Sequence, residues 1–239
     1  MNTMKRRWMI AAALGLALSS PPARATLIVD YWDLGTGVID SSGPDGTGTD
    51  VIQNPYQVTD KIVHGFSEAH TAYNFAWTDT AGTFSFHVSN TAAGTDPELL
   101  RSISSGYIDF ASNSDLLFSS SGAYGYQLPV GEMQVGAGFN LIKWVGLNSP
   151  LLLTRGGEDD TFVTAPRSGS IALDGAVSLP AGQVYRLQYD FETRTFGPVG
   201  SLATGSGDFT FTLTEVPEPA SILPFMFMVV LARPRRARR

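Results

Sequence analysis

The stretch that most restricts the fold is Thr83-Phe84-Ser85-Phe86-His87-Val88-Ser89. Large apolar side chains fall on every second residue, the period of a strand with one face buried and one face wet. Tyr73-Asn74-Phe75-Ala76-Trp77 shows the same alternation a few residues earlier. Thr78-Asp79-Thr80-Ala81-Gly82 separates the two and is rich in turn formers. The pair reads as a hairpin in which Tyr73, Phe75, Trp77, Phe84, Phe86 and Val88 face one core. His87 then lies on the opposite face, and one register sets it across from Asn74.

Two late segments repeat the pattern. Tyr185, Leu187, Tyr189 and Phe191 share one face of a strand, and Arg186, Gln188, Asp190 and Glu192 share the other. Phe209, Phe211 and Leu213 point inward from Asp208–Thr214, with threonines between them. Further strands are expected at Leu27–Trp32, within 51–63, and at Gly106–Phe110, Asp115–Ser119, Val135–Val145 and Leu151–Thr154. Two short ones flank Asp174-Gly175. Gly35–Asp50 reads as a loop around Pro44-Asp45-Gly46, and Ser119–Gly125 as an exposed Ser/Gly-rich stretch. Asp96–Leu100 begins a short helical turn or a loop. No long helical period and no internal repeat is present. Many short strands with Gly/Pro turns predict an all-β chain, a single β-sandwich of jelly-roll type, with a β-barrel as the alternative.

The ends differ from the middle. Residues 26–215 hold 15 Asp and 6 Glu against 2 Lys and 5 Arg, a net charge of −14, whereas the whole chain is only −6. So acidic a body repels phosphate, and nucleic acid is not an expected partner. With no cysteine, disulfides, thiolate zinc sites and a Cys nucleophile are excluded.

Residues 1–25 have the layout of a secretory signal peptide. Lys5, Arg6 and Arg7 form the positive region, Trp8–Leu18 the apolar region, and Ala23-Arg24-Ala25 the cleavage site, with Pro21-Pro22 ending the helix before it. Cleavage by signal peptidase is expected after Ala25.

Residues 216–239 combine Pro217-Glu218-Pro219, the apolar run Ile222–Ala232 and five arginines from Arg233 onward. The two prolines hold their surroundings extended, and arginine beside an apolar segment marks the cytoplasmic side of a membrane. This tail resembles the PEP-CTERM sorting signal of exported Gram-negative bacterial proteins. The resemblance implies recognition at Pro217, Glu218 and Pro219 by an exosortase-type membrane enzyme and delivery to the envelope, the surface or the medium. It covers about a tenth of the chain. As a helix the apolar run reaches about 16 Å, short of a hydrocarbon core of about 30 Å, which suits transient insertion better than a permanent anchor.

Between the signals, several chemistries have candidate residues. His64, His70 and His87 are candidate metal ligands, but Gly65 and the spacing do not give His-Glu-x-x-His, and loop or surface histidines explain them as well. Asp40, Asp45, Asp50 and the Glu158-Asp159-Asp160 run are candidate oxygen donors for structural calcium, without an EF-hand spacing. No other cofactor is expected. A glycosidase needs two carboxylates at a set separation, and the sequence does not single out a pair; Asp190 and Glu192 read as a charged solvent face with Arg186. Neither a G-x-S-x-G elbow nor a nucleotide-binding loop is present. Tyr107, Tyr124, Tyr126 and Trp144 are candidate platforms for sugar rings. The expectation is an exported, non-enzymatic, structural or adhesive protein of the envelope or matrix, associated with extracellular polysaccharide. A carbohydrate-binding module is the alternative, and a secreted hydrolase the third reading.

Overall fold

The computed structural model describes residues 26–40, 43–94, 100–145, 149–196 and 200–216. Both end segments, with Ala23, Ala25, Pro217, Glu218 and Pro219, lie outside the described residues, as do residues 95–99. The described residues form thirteen strands: β1 (Leu27–Asp40), β2 (Gly43–Thr49), β3 (Tyr56–His64), β4 (Ser67–Trp77), β5 (Ala81–Ala93), β6 (Leu100–Ser112), β7 (Leu116–Val130), β8 (Glu132–Trp144), β9 (Pro150–Thr164), β10 (Arg167–Ala172), β11 (Gly175–Leu179), β12 (Gln183–Phe196) and β13 (Leu202–Glu215).

They form two antiparallel sheets packed face to face, a β-sandwich. One sheet has six strands in the order β2-β1-β6-β12-β8-β9. The other has seven strands, the order β10-β7-β13-β5-β4-β3 with β11 also on β7. The alternation that predicts each strand also builds the core. Tyr73, Phe75, Phe84, Phe86 and Val88 are buried, Trp77 packs against them, and Tyr185, Leu187, Tyr189, Phe191, Phe209, Phe211 and Leu213 join them. Aromatic rings couple the sheets. Phe191 stacks on Phe209 with ring centres 4.1 Å apart and planes 7° apart. Phe86 meets Tyr189 at 4.7 Å and Phe139 meets Phe211 at 5.2 Å. Such pairs add to the area term that dominates burial.

One part of the interior is polar instead. Thr36 donates to Thr71 at 2.9 Å, and Thr71 shares a hydrogen bond with Ser104. Asn90 donates to the Tyr124 hydroxyl at 3.1 Å and to the Phe191 carbonyl at 3.0 Å, while Tyr124 pairs with Thr193 at 2.9 Å. These groups belong to both sheets, so the bonds fix how one sheet sits on the other.

Three expectations are corrected. Residues 35–50 are largely a hairpin: β1 continues to Asp40 and pairs with β2, Gly35 opposite Gly48 and Gly37 opposite Gly46. Leu34, Thr36 and Val38 still alternate inward, but the glycines between them hide the period. Ser119–Gly125 is the middle of β7 rather than an exposed stretch, and Tyr124 within it is fully buried. The aromatic hairpin is present, but His87 faces Ala72 while Asn74 faces Ser85. Its turn is tighter than expected because Ala81 and Gly82 join the strand, with Trp77 opposite Gly82. The register moves by two residues, so every side chain keeps its face.

Candidate functional site

The outer face of the six-stranded sheet carries a cluster of partly exposed aromatic and charged side chains. Its central strands β6 and β12 pair Asp109 with Arg186 and Tyr107 with Gln188. Arg186 donates from Nε and Nη2 to the two oxygens of Asp109, each at 2.7 Å. This planar fork is the strong form of an ion pair, and the bond to Asp109 raises the Arg186 pKa further. Held in this way, the guanidinium carbon lies 3.8 Å from the centre of the Tyr107 ring and 5.2 Å from that of Trp144. Tyr31 adds a second ring, 5.7 Å from Tyr107 and 39% exposed. Its phenol is shifted upward first by a hydrogen bond with Tyr107 and then by the charge of that group. Tyr31, Tyr107, Arg186 and Trp144 thus make a braced platform at the surface, suited to a flat ligand with C–H groups on one face.

Of the four aromatic candidates, Tyr107 and Trp144 are on this platform. Tyr124 and Tyr126 are not: they are 0% and 8% exposed. Their Gly-rich setting has another cause. A side chain carbon at Gly205 would sit 2.3 Å from the Tyr124 hydroxyl, and one at Gly169 would sit 2.4 Å from that of Tyr126. The glycines make room for tyrosines in the core.

The carboxylates separate too. Asp190 is exposed, while Glu192 is only 4% exposed. Glu192 forms ion pairs with Arg101, at 2.5 Å, and with Arg194. The expected charged solvent face with Arg186 is corrected here: Arg186 turns to Asp109, and Glu192 is closed in by two other arginines.

The histidines do not share one site. His64 bonds Asp45 at 2.9 Å near the end of β3. His70 and His87 are neighbours on the outer face of the seven-stranded sheet, rings 6.1 Å apart, and His87 bonds Asp208 at 2.8 Å. His70 pairs across the hairpin with Lys61, three residues from His64 on β3, so His64 is on the other face. Among the described residues no three His, Asp or Glu side chains converge as a metal site. Asp50 is exposed; the side chains of Asp40, Glu158, Asp159 and Asp160 lie outside the described residues.

Sequence reasoning missed Tyr31, Asp109 and the pairing of Arg186. Arg186 and Gln188 are visible as outward positions of one strand, but their partners depend on the neighbouring strand, which is seventy-odd residues away in the chain.

No family model matches the chain, and no curated protein matches it. Solved structures do match weakly. A structure of infectious bursal disease virus, Gx strain, is 11% identical over 92% of this chain and 76% of that chain, with a TM-score of 0.21. T=1 particles derived from infectious bursal virus are 8% identical over 85% and 70%, with a TM-score of 0.23.

Proposed function

We propose that this is an exported cell-envelope or extracellular-matrix protein with a non-enzymatic, adhesive role, which holds glycan on the outer face of its six-stranded sheet. The observation that carries this reading is the Tyr107 ring, half-buried on the outer face of the sheet, lining the cavity and braced by Arg186 and Asp109. An aromatic face held rigid by a buried-edge ion pair loses little entropy on stacking with a sugar.

Export rests on the two end segments. Signal peptidase removes residues 1–25, and an exosortase-type enzyme acts at or near Pro217-Glu218-Pro219 while the apolar run is briefly inserted in the inner membrane. The jelly-roll-like label belongs to the same reading. It is supported by the way the chain passes between the sheets at β2–β3, β5–β6, β6–β7, β7–β8, β9–β10, β11–β12 and β12–β13.

Two measurements test the proposal. Binding of the secreted protein to an array of extracellular glycans should be seen, and Tyr107→Ala should remove it. Retention of full binding in that variant would move the site elsewhere. The intact mass of the protein from its own host should begin at Thr26 and end near Pro217; a mass running to Arg239 would defeat the sorting assignment.

A further inference from the structure

Beside the platform, a cavity of about 300 Å³ opens on the same sheet, lined by Ser105, Tyr107, Gly138, Asn140, Gln188 and Asp190 among others. Register explains its shape. Tyr107, Gln188 and Asn140 stand side by side on β6, β12 and β8. The next row on those strands is Ser105, Asp190 and Gly138. That row continues to Gly35 and Gly48 on one side and to Gly157 on the other. Gly35 and Gly48 leave no side chain above β1 and β2, so the cavity, itself lined from β6, β12 and β8, continues toward that edge of the sheet as a shallow channel. At about 4.8 Å per strand its length from β8 to β2 is roughly 19 Å. Tyr107 and two amides form one wall, and Asp190 stands on the floor.

We propose that this channel takes an extended, uncharged polysaccharide lying across the strands, with one ring against Tyr107 and its hydroxyls bonded by Gln188, Asn140 and Asp190. The inference rests on the glycan reading above and gives it a ligand class and a direction. A sugar ring offers an apolar C–H face and a rim of hydroxyls. The Tyr107 ring matches the first, while two amides and a carboxylate, which between them donate and accept, match the second. The channel runs out over β2, the edge strand of the sheet, so a chain longer than the cavity can continue along it. Charge favours a neutral ligand. Asp190 would face an acidic polymer directly, and residues 26–215 carry −14; Arg101 and Arg194 both turn to Glu192, and exposed Arg155 opposite Asn140 is offset by exposed Asp33 opposite Tyr107 in the same row.

The far end of the channel can be filled without touching Tyr107. A side chain carbon at Gly35 or Gly48 would come no nearer than 3.5 Å to another atom, an ordinary contact, and valine suits a strand. The experiment titrates the full secreted protein with linear neutral glucan, mannan and galactan fragments of two and eight sugar units, and with a polyuronate of eight units. Wild type should bind the best eight-unit neutral fragment about ten-fold more tightly than its two-unit form, a difference of about 1.4 kcal/mol, and the polyuronate more weakly. G35V/G48V should lose that gain and keep the two-unit affinity. Tyr107→Ala should weaken both by about ten-fold or more. Affinity independent of length, an unchanged eight-unit affinity in G35V/G48V, or preference for the polyuronate would overturn the channel. In each of those cases Tyr107-dependent binding would leave the glycan reading standing. No binding of any fragment by wild type, with the fold intact by circular dichroism, would overturn both.

Discussion

Arg186 and Asp109 face each other across the β6–β12 ladder and are joined by two parallel hydrogen bonds of 2.7 Å. Both side chains are largely shielded, so the pair has a stiffness that an exposed ion pair lacks. The position of Arg186 over Tyr107 follows from it. Asp109→Asn should cost about 1–2 kcal/mol in chemical denaturation and should also weaken glycan binding. Arg186→Lys should do the same, because an ammonium cannot make the fork or stack flat on the ring.

Glu192 is the most enclosed carboxylate among the described ion pairs. Glu192→Gln leaves Arg101 and Arg194 facing a neutral group. A loss of about 2–3 kcal/mol in urea unfolding is expected, below the usual range for a fully buried pair because both arginines keep some solvent. A change under about 0.5 kcal/mol would mean that water already solvates the cluster.

Burial pushes the Tyr124 and Tyr185 phenols up to about 12, against about 10 in an unfolded chain. The folded state holds these protons more tightly. The stability from this difference is fully present below pH 10 and is lost as pH rises from 10 through 12. Urea midpoints measured across that window should fall steeply for wild type and less steeply for Tyr124→Phe.

Gly205 and Tyr124 are tightly fitted. Gly205→Ala should destabilise by about 1–3 kcal/mol through overpacking. Gly205→Ala in a Tyr124→Leu background should cost less than it does in wild type, since the three nearest atoms to the added methyl all belong to the Tyr124 ring and hydroxyl. An equal cost in both backgrounds would place the clash away from the Tyr124 side chain.

The strands with aromatic alternation were readable because their period depends on the residues alone. Phe84, Phe86, Phe209 and Phe211 needed no knowledge of their partners. The β1–β2 hairpin was hidden because glycine at 35, 37, 46 and 48 carries no side chain with which to mark a face. Tyr124 was misplaced for a related reason: glycine beside an aromatic residue marks an exposed turn in one context and clearance for a large ring in another. Only the neighbouring strand decides which. The platform was half legible. Tyr107, Trp144 and Arg186 stood out by type and position, whereas Tyr31 and Asp109 become relevant only through the order β1-β6-β12.

The last strand has a mechanical consequence. β13 lies inside the seven-stranded sheet, bonded to β7 on one side and β5 on the other. Its end is held on both flanks: Glu215 N–H donates to the Thr80 carbonyl and Val216 N–H to the Asp115 carbonyl, each at 2.9 Å. Tension applied beyond Val216 runs along the strand axis, so the two ladders resist in shear and must slip together instead of peeling one bond at a time. A chain tethered or gripped from that side meets the load with the best-supported strand of its sheet. The opposite pull, on an edge strand such as β3 or β10, would open its sheet like a zip.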